Sequence, residues 1–201
     1  MKKIHLLAGS ALMAMTLAAA PAIAQMKNDA MKSDMMKSES AKPVTVGGAP
    51  MYSNKNIVQN AVNSKDHTTL VAAVKAAGLV DTLSGPGPFT VFAPTNEAFK
   101  KLPAGTVDTL LKPENKDKLK AVLTYHVVAG KMSAKDLMEA VKKGGGKAML
   151  KTVEGDDLTV TQSGNMLTVT DAKGDKAKVT IANVNQSNGI IHVIDTVMLP
   201  G

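Results

Sequence analysis

Once the first two dozen residues are set aside, the side chains best able to do chemistry are His67, His126 and His192, with Asp81 and Asp195 as the acids nearest to a catalytic role. Nucleophilic catalysis needs a base beside a serine held in a sharp turn between a strand and a helix, and no Gly-x-Ser-x-Gly run is present. A helical zinc site needs a His-x-x-x-His pair, and a phosphate cradle needs a glycine-rich loop; neither pattern occurs. His126 lies in the apolar run from Val122 to Val128, and His192 lies between Ile190, Ile191, Val193 and Ile194. Such settings predict neutral imidazoles tied to backbone groups. Cysteine is absent, which excludes disulfides, thiolate catalysis and cysteine-bound zinc. The expectation is a protein without a catalytic centre, metal or cofactor.

The elements that position these residues are legible from the spacing. Thr90, Val91 and Phe92 predict a buried strand that stops at Pro94, which lacks a ladder donor and biases Ala93 toward extended geometry. Thr95 is the natural N-cap of the helix that follows, with Glu97 in its first turn and Phe99 inward. The only phenylalanines are Phe89, Phe92 and Phe99, so a tryptophan-free core is expected to nucleate on them.

Before this stretch, 54–65 and 68–80 carry helical spacing, the second stopping at Gly78. After it, 105–111, 113–124 and a segment opened by Ser133 and closed by Gly144 to Gly146 read as helices. From Ala148 the period changes to two. Strands are predicted at 158–161, 166–170, 178–181 and 190–199. Helices first and an antiparallel sheet afterwards, with one early strand, make the class α+β.

Residues 1–24 read as a signal peptide: Lys2 and Lys3, an apolar run, and Ala22-Ile23-Ala24 before the expected cleavage at Ala24-Gln25. The apolar run is shorter than a bilayer span, so a periplasmic or secreted, extracellular product is expected rather than one that spans the membrane. Residues 25–51 read as a disordered Met/Lys/Ser-rich linker in which Met26, Met31 and Met36 each precede a lysine. Thioether sulfurs suit Cu(I), but five-residue spacing does not stack them on one face, and a flexible spacer is the reading. The folded domain is then 52–201.

The formal charge is +7, about +5 without Lys2 and Lys3. All the basic residues are lysine and aromatics are 2% of the chain, which argues against nucleic-acid recognition by bidentate arginine or base stacking. The lysines alternate with acids, as in 114–120, the pattern of a solvated face.

Three motifs occur in order: TVFAPTNEAF (Thr90 to Phe99), Thr124-Tyr125-His126-Val127-Val128, and SNGIIHVIDTVMLP (Ser187 to Pro200). Together they resemble the fasciclin-type domain, bacterial secreted single-domain type, over about 52–200. The resemblance implies a compact β-sandwich or wedge with helices packed around it. It marks Thr90, Phe92, Ala93, Pro94, Thr95, Phe99, Asn188, Gly189, His192 and Asp195 as family core. It also implies that Tyr125, His126, Val127 and Val128 take part in adhesion; alternatively Tyr125 and His126 lock the helix end to the sheet. A second adhesion motif of the family falls on Ile181 to Asn185, where its acidic position is Asn183. Function is thus expected to be binding of an envelope or matrix protein or polysaccharide, or else carriage of an apolar small molecule beside the sheet. An exposed patch would favour the first and an enclosed apolar cavity the second.

Overall fold

The computed structural model describes residues 43–201, so the expected signal peptide and residues 25–42 of the expected linker lie outside the described residues. The end of that linker is corrected. Val44–Val46 (β1) and Ala49–Met51 (β2) pair as an antiparallel hairpin, with Val46 opposite Ala49. Gly47 and Gly48 both have positive φ, 58° and 76°, the geometry a two-residue hairpin turn requires. Val46 and Met51 are buried against the helices. Gly47 and Gly48 here form the turn between two short strands, and Pro50 lies within the second, so this stretch is not a solvated tail.

Helices α1 (Ile57–Ala61), α2 (Thr68–Ala77) and α3 (Val80–Ser84) follow. Asn56 and Gln59 form a reciprocal capping box at the start of α1. Gly78, at φ 71°, ends α2 as expected. Strand β3 (Phe89–Pro94) ends at its proline, and Thr95 caps α4 (Asn96–Lys100) by accepting the Ala98 N–H at 3.2 Å. Helix α5 is Thr106–Leu110 and α6 is Lys116–Tyr125, the latter entered through a 3-10 turn at Pro113–Asn115. Strand β4 (Val127–Ala129) follows just past the predicted helix end at Thr124, where the sequence predicted no strand. Helix α7 (Ala134–Lys143) has the predicted start, with Ser133 and Asp136 capping each other.

Five strands complete the fold: β5 (Lys147–Lys151), β6 (Asp157–Ser163), β7 (Met166–Thr170), β8 (Lys176–Gln186) and β9 (Gly189–Ile194). β8 is longer than predicted and carries register shifts near Ile181, while β9 stops five residues short of Leu199.

One seven-stranded sheet runs β4-β3-β9-β8-β7-β6-β5. The two stretches that dominate the sequence, β3 and β9, are its one parallel pair, from Phe89 opposite Gly189 to Pro94 opposite Ile194. The sheet curls until its edges meet. Val128 bridges to Thr152, and the Val153 N–H donates to the Val127 carbonyl at 2.7 Å. Alternation then divides the core in two. Val91, Ala93, Ile191 and Val193 face the helices, with Leu70 and Phe99; Phe92 and Ile194 face the inside of the curl, with Leu137, Leu158, Val160 and Val169. The phenylalanines therefore do not form a single nucleus, since Phe92 belongs to the inner cluster and Phe89 and Phe99 to the outer.

Candidate functional site

The end of α6 carries the residues singled out for adhesion. Its last backbone bonds tighten, the His126 N–H reaching Leu123 at 3.2 Å, and the side chain of His126 turns back to serve Val122. A carbonyl can only accept, so Nδ1–H donates to Val122 at 2.7 Å; Nε2 is left to accept the Met198 N–H at 3.0 Å. The ring thereby ties the helix end to the segment after β9. It is 2% exposed, and burial lowers its pKa to about 4 against the pull of the Val122 bond and the Asp171 carboxylate.

Tyr125 points into the curled sheet. Its hydroxyl donates to the Asp157 carbonyl at 3.2 Å and accepts the Ala172 N–H at 3.0 Å, joining the start of β6 to the turn after β7. Burial raises its pKa, opposed by the Ala172 bond. Val127 and Val128 are likewise buried, on opposite sides of β4. All four residues named for partner contact thus have their side chains in the interior, and the structure brings them together as a helix-to-sheet lock.

The other motif residues are also internal. His192 donates from Nε2 to the Met132 carbonyl at 2.9 Å, accepts the Asn183 N–H at 3.4 Å, and stacks on Phe92 with ring centres 5.7 Å apart. Burial lowers its pKa. Thr90 donates to the Gly130 carbonyl at 2.7 Å and accepts the Met132 N–H at 2.9 Å. Asn188 accepts the Ile57 N–H and donates to Leu83 and Gly85, so one buried amide holds α1 and the end of α3 against β9. At Gly189 a Cβ would meet the Phe89 carbonyl oxygen at 2.2 Å, leaving room only for hydrogen. Asp195 accepts the Lys178 N–H at 2.8 Å and the Thr196 hydroxyl at 3.1 Å; although burial raises its pKa, these bonds and Lys101 hold it below the usual range.

Asn183, the position where the family motif is acidic, has a role the sequence did not reveal. It sits in the left-handed region at φ 61°, inside the irregular part of β8, and its side-chain oxygen accepts the Ala134 N–H at 2.8 Å. It therefore helps to satisfy the start of α7. A buried network the sequence also missed joins Asn60 to Gln186 and to the Tyr52 main chain. Both roles depend on long-range contacts, and no local pattern announces them.

His67 lines an apolar cavity between the hairpin, α1, α2 and the helix-facing side of β3 and β9. Its Nδ1 bonds to the Ser64 hydroxyl at 2.9 Å; its Nε2 faces the Ala93 main chain without a hydrogen bond of good geometry. Burial lowers its pKa. The cavity holds about 50 Å³, against roughly 300 Å³ or more for a ligand pocket. Among the described residues no three His, Asp or Glu side chains gather as metal ligands.

Comparison with known proteins agrees with this geometry. The family model "Fasciclin domain" matches residues 65–200. Protein sll1483 of Synechocystis sp. is 48% identical over 159 residues, 79% of this chain and 81% of that protein. Cell surface glycolipoprotein MPB83 of Mycobacterium bovis is 35% identical over 163 residues, 79% of this chain and 66% of that protein. Among solved structures, the domain pair of the insect cell adhesion molecule Fasciclin I superposes with a TM-score of 0.64 over 72% of this chain. At 21% identity that likeness speaks for the fold alone, and this chain spans about half, 51%, of the pair. The match over 65–200 covers more than half of the sequence and includes all three motifs, and the chain belongs to the fasciclin domain family.

Proposed function

We propose that this chain is an exported, non-catalytic binding and adhesion module that recognises an envelope or matrix protein or polysaccharide in the periplasm or outside the cell. One observation carries the reading: the motif side chains that could do chemistry are turned inward and bonded to the main chain, so the outer surface is what the domain offers a partner. In this reading Tyr125, His126, Val127 and Val128 support adhesion as scaffold, by fixing α6 and β4 to the sheet. The kinship with a cell-surface glycolipoprotein supports the location. Among the described residues no helix is long and apolar enough to cross a membrane.

The cavity beside the sheet is the observation that favours the alternative, carriage of an apolar small molecule, and its size is the observation against it. One experiment separates the two. The exported protein is used to capture partners from envelope extract and from polysaccharide, and both retained macromolecules and solvent-extracted small molecules are identified. Adhesion predicts a saturable macromolecular partner. An apolar compound recovered in stoichiometric amount, with no such partner, would replace adhesion by carriage.

A further inference from the structure

Among the described residues no helix packs on the outer face of β5, β6, β7 and β8; α7 packs with Leu137 and Val141 on the inside of the curl. Alternation sends Leu158, Val160, Leu167 and Val169 inward and turns their neighbours out. Strand register then assembles a row that no single segment contains. Lys147 lies opposite Thr161, Thr161 opposite Thr168, and Thr168 opposite Lys178. In the next row Met149 lies opposite Thr159, Thr159 opposite Thr170, and Thr170 opposite Lys176. Four strands span about 14 Å and successive outward rows stand about 7 Å apart. The result is a hydroxyl-bearing strip whose first row ends in a lysine on each side and whose second ends in Met149 on β5 and Lys176 on β8.

Charge on this face is one-sided. Lys147, Lys151, Lys176 and Lys178 are exposed, and among the described residues none forms an ion pair. Asp157 shares the face, opposite Lys151, and Asp195, ion-paired with Lys101 at 3.6 Å, accepts the Lys178 main-chain N–H at the edge of the row. Glu154, Asp156 and Asp175 lie in the turns at that same end, while the Gly164–Asn165 turn at the other end is uncharged. An anion is therefore drawn to the Lys147–Lys178 row and repelled from the acidic turns. The face carries no aromatic ring on which a neutral sugar or a base would stack, and the chain has no arginine for bidentate phosphate contacts. Its large apolar side chains, Met149 and Met166, stand apart on β5 and β7 and make no wedge for a lipid surface.

We infer that this face docks an acidic polysaccharide, the polymer lying across the strands along the row from Lys147 to Lys178, its carboxylates on the lysines and its hydroxyls on Thr161 and Thr168. This rests on the adhesion reading and gives it a surface and a partner class.

The test measures binding of the exported full-length product to immobilised polygalacturonate at low and raised salt, with dextran, anionic vesicles and duplex DNA as other probes. The variants are K147E/K178E and, as a control with the same change of charge on the exposed side of α6, K118E/K120E. Expected are a loss of about tenfold or more for the first pair, less than about twofold for the second, binding weakened by salt, and little affinity for the other three probes. Unfolding midpoints establish that both variants are folded; if K147E/K178E is not, K147Q/K178Q should still lower affinity about threefold. Equal losses in both pairs, no loss in the first, or tighter binding to vesicles or DNA overturn the assignment. If the wild-type chain attaches to envelope extract and K147E/K178E attaches equally well, adhesion stands and this face is not its surface. If the wild-type chain attaches to neither extract nor polymer, the adhesion reading itself falls.

Discussion

Acidifying the protein from pH 7 to pH 4 should cost stability, and a separable part of the loss traces to the ring of His126. His126 has a folded pKa of about 4 against an ordinary 6.5, so between those values the unfolded chain takes up a proton that the folded chain refuses. Its contribution is complete above pH 6.5, declines as pH falls below that, and is gone once pH has passed through the folded value. At about 1.36 kcal/mol per pKa unit, the loss by pH 4 is on the order of 3 kcal/mol. The structural cause is direct: protonated Nε2 becomes a second donor facing the Met198 N–H, in a site with no water-exposed escape. The assay is urea unfolding at several pH values for the wild type and for His126→Asn. The variant loses stability at pH 7 but has no titrating ring, so its gap from wild type should narrow by about 3 kcal/mol at pH 4. His67 and His192, whose pKa values are also lowered by burial, act alike in both proteins and cancel in the difference. A gap that stays constant, or a ring in the wild-type protein that titrates above pH 6 by NMR, would refute the argument.

Three further outcomes are expected. Removing residues 43–51 uncovers the surface under Val46 and Met51 and should cost about 3 kcal/mol, at roughly 1.5–3 kcal/mol per buried apolar side chain, read as a lower calorimetric midpoint. Gly189→Ala drives a methyl into the Phe89 carbonyl at the head of the parallel pair; a fall in Tm of less than about 4 °C would show that β3 and β9 can separate there at little cost. Leu137→Ala empties a fully buried position where α7 closes the curl, and denaturant unfolding should report a loss of about 2–5 kcal/mol.

Local signals in the sequence are legible where the physics is local. Thr95, Ser133 and Gly78 begin or end helices because a side-chain oxygen or a missing Cβ acts within one turn of the backbone. Met166–Thr170 reads as a strand because its alternation is strict and both flanks are turns. The parallel pairing of β3 with β9 joins residues about a hundred positions apart, and no period in either strand specifies the partner. Val127 and Val128 continue an apolar run that suits helix and strand alike, so the break at His126 depends on the tertiary bonds of its ring. Gly47 and Gly48 serve a hairpin and a linker equally well until Val46 and Met51 find a surface to cover. The same limit applies to the site. Tyr125 and His126 stand out in the sequence, but which way they face is a property of the sheet. Lys147 and Lys178 are scattered lysines until register sets them in one row.

The meeting of β4 with β5 bears on how the protein survives at high concentration. An open sheet presents rows of unpaired N–H and C=O groups that another chain can extend, which is the usual start of edge-to-edge aggregation. Here the Val128–Thr152 bridge and the Val153–Val127 bond bring the two outermost strands of the seven-stranded sheet together, so neither offers a free row there. The same closure narrows the ways a partner can attach. A peptide that binds by adding a strand has no vacant ladder to join at that seam, and recognition on the sheet must pass through side chains, whose identity can change without disturbing the backbone that displays them.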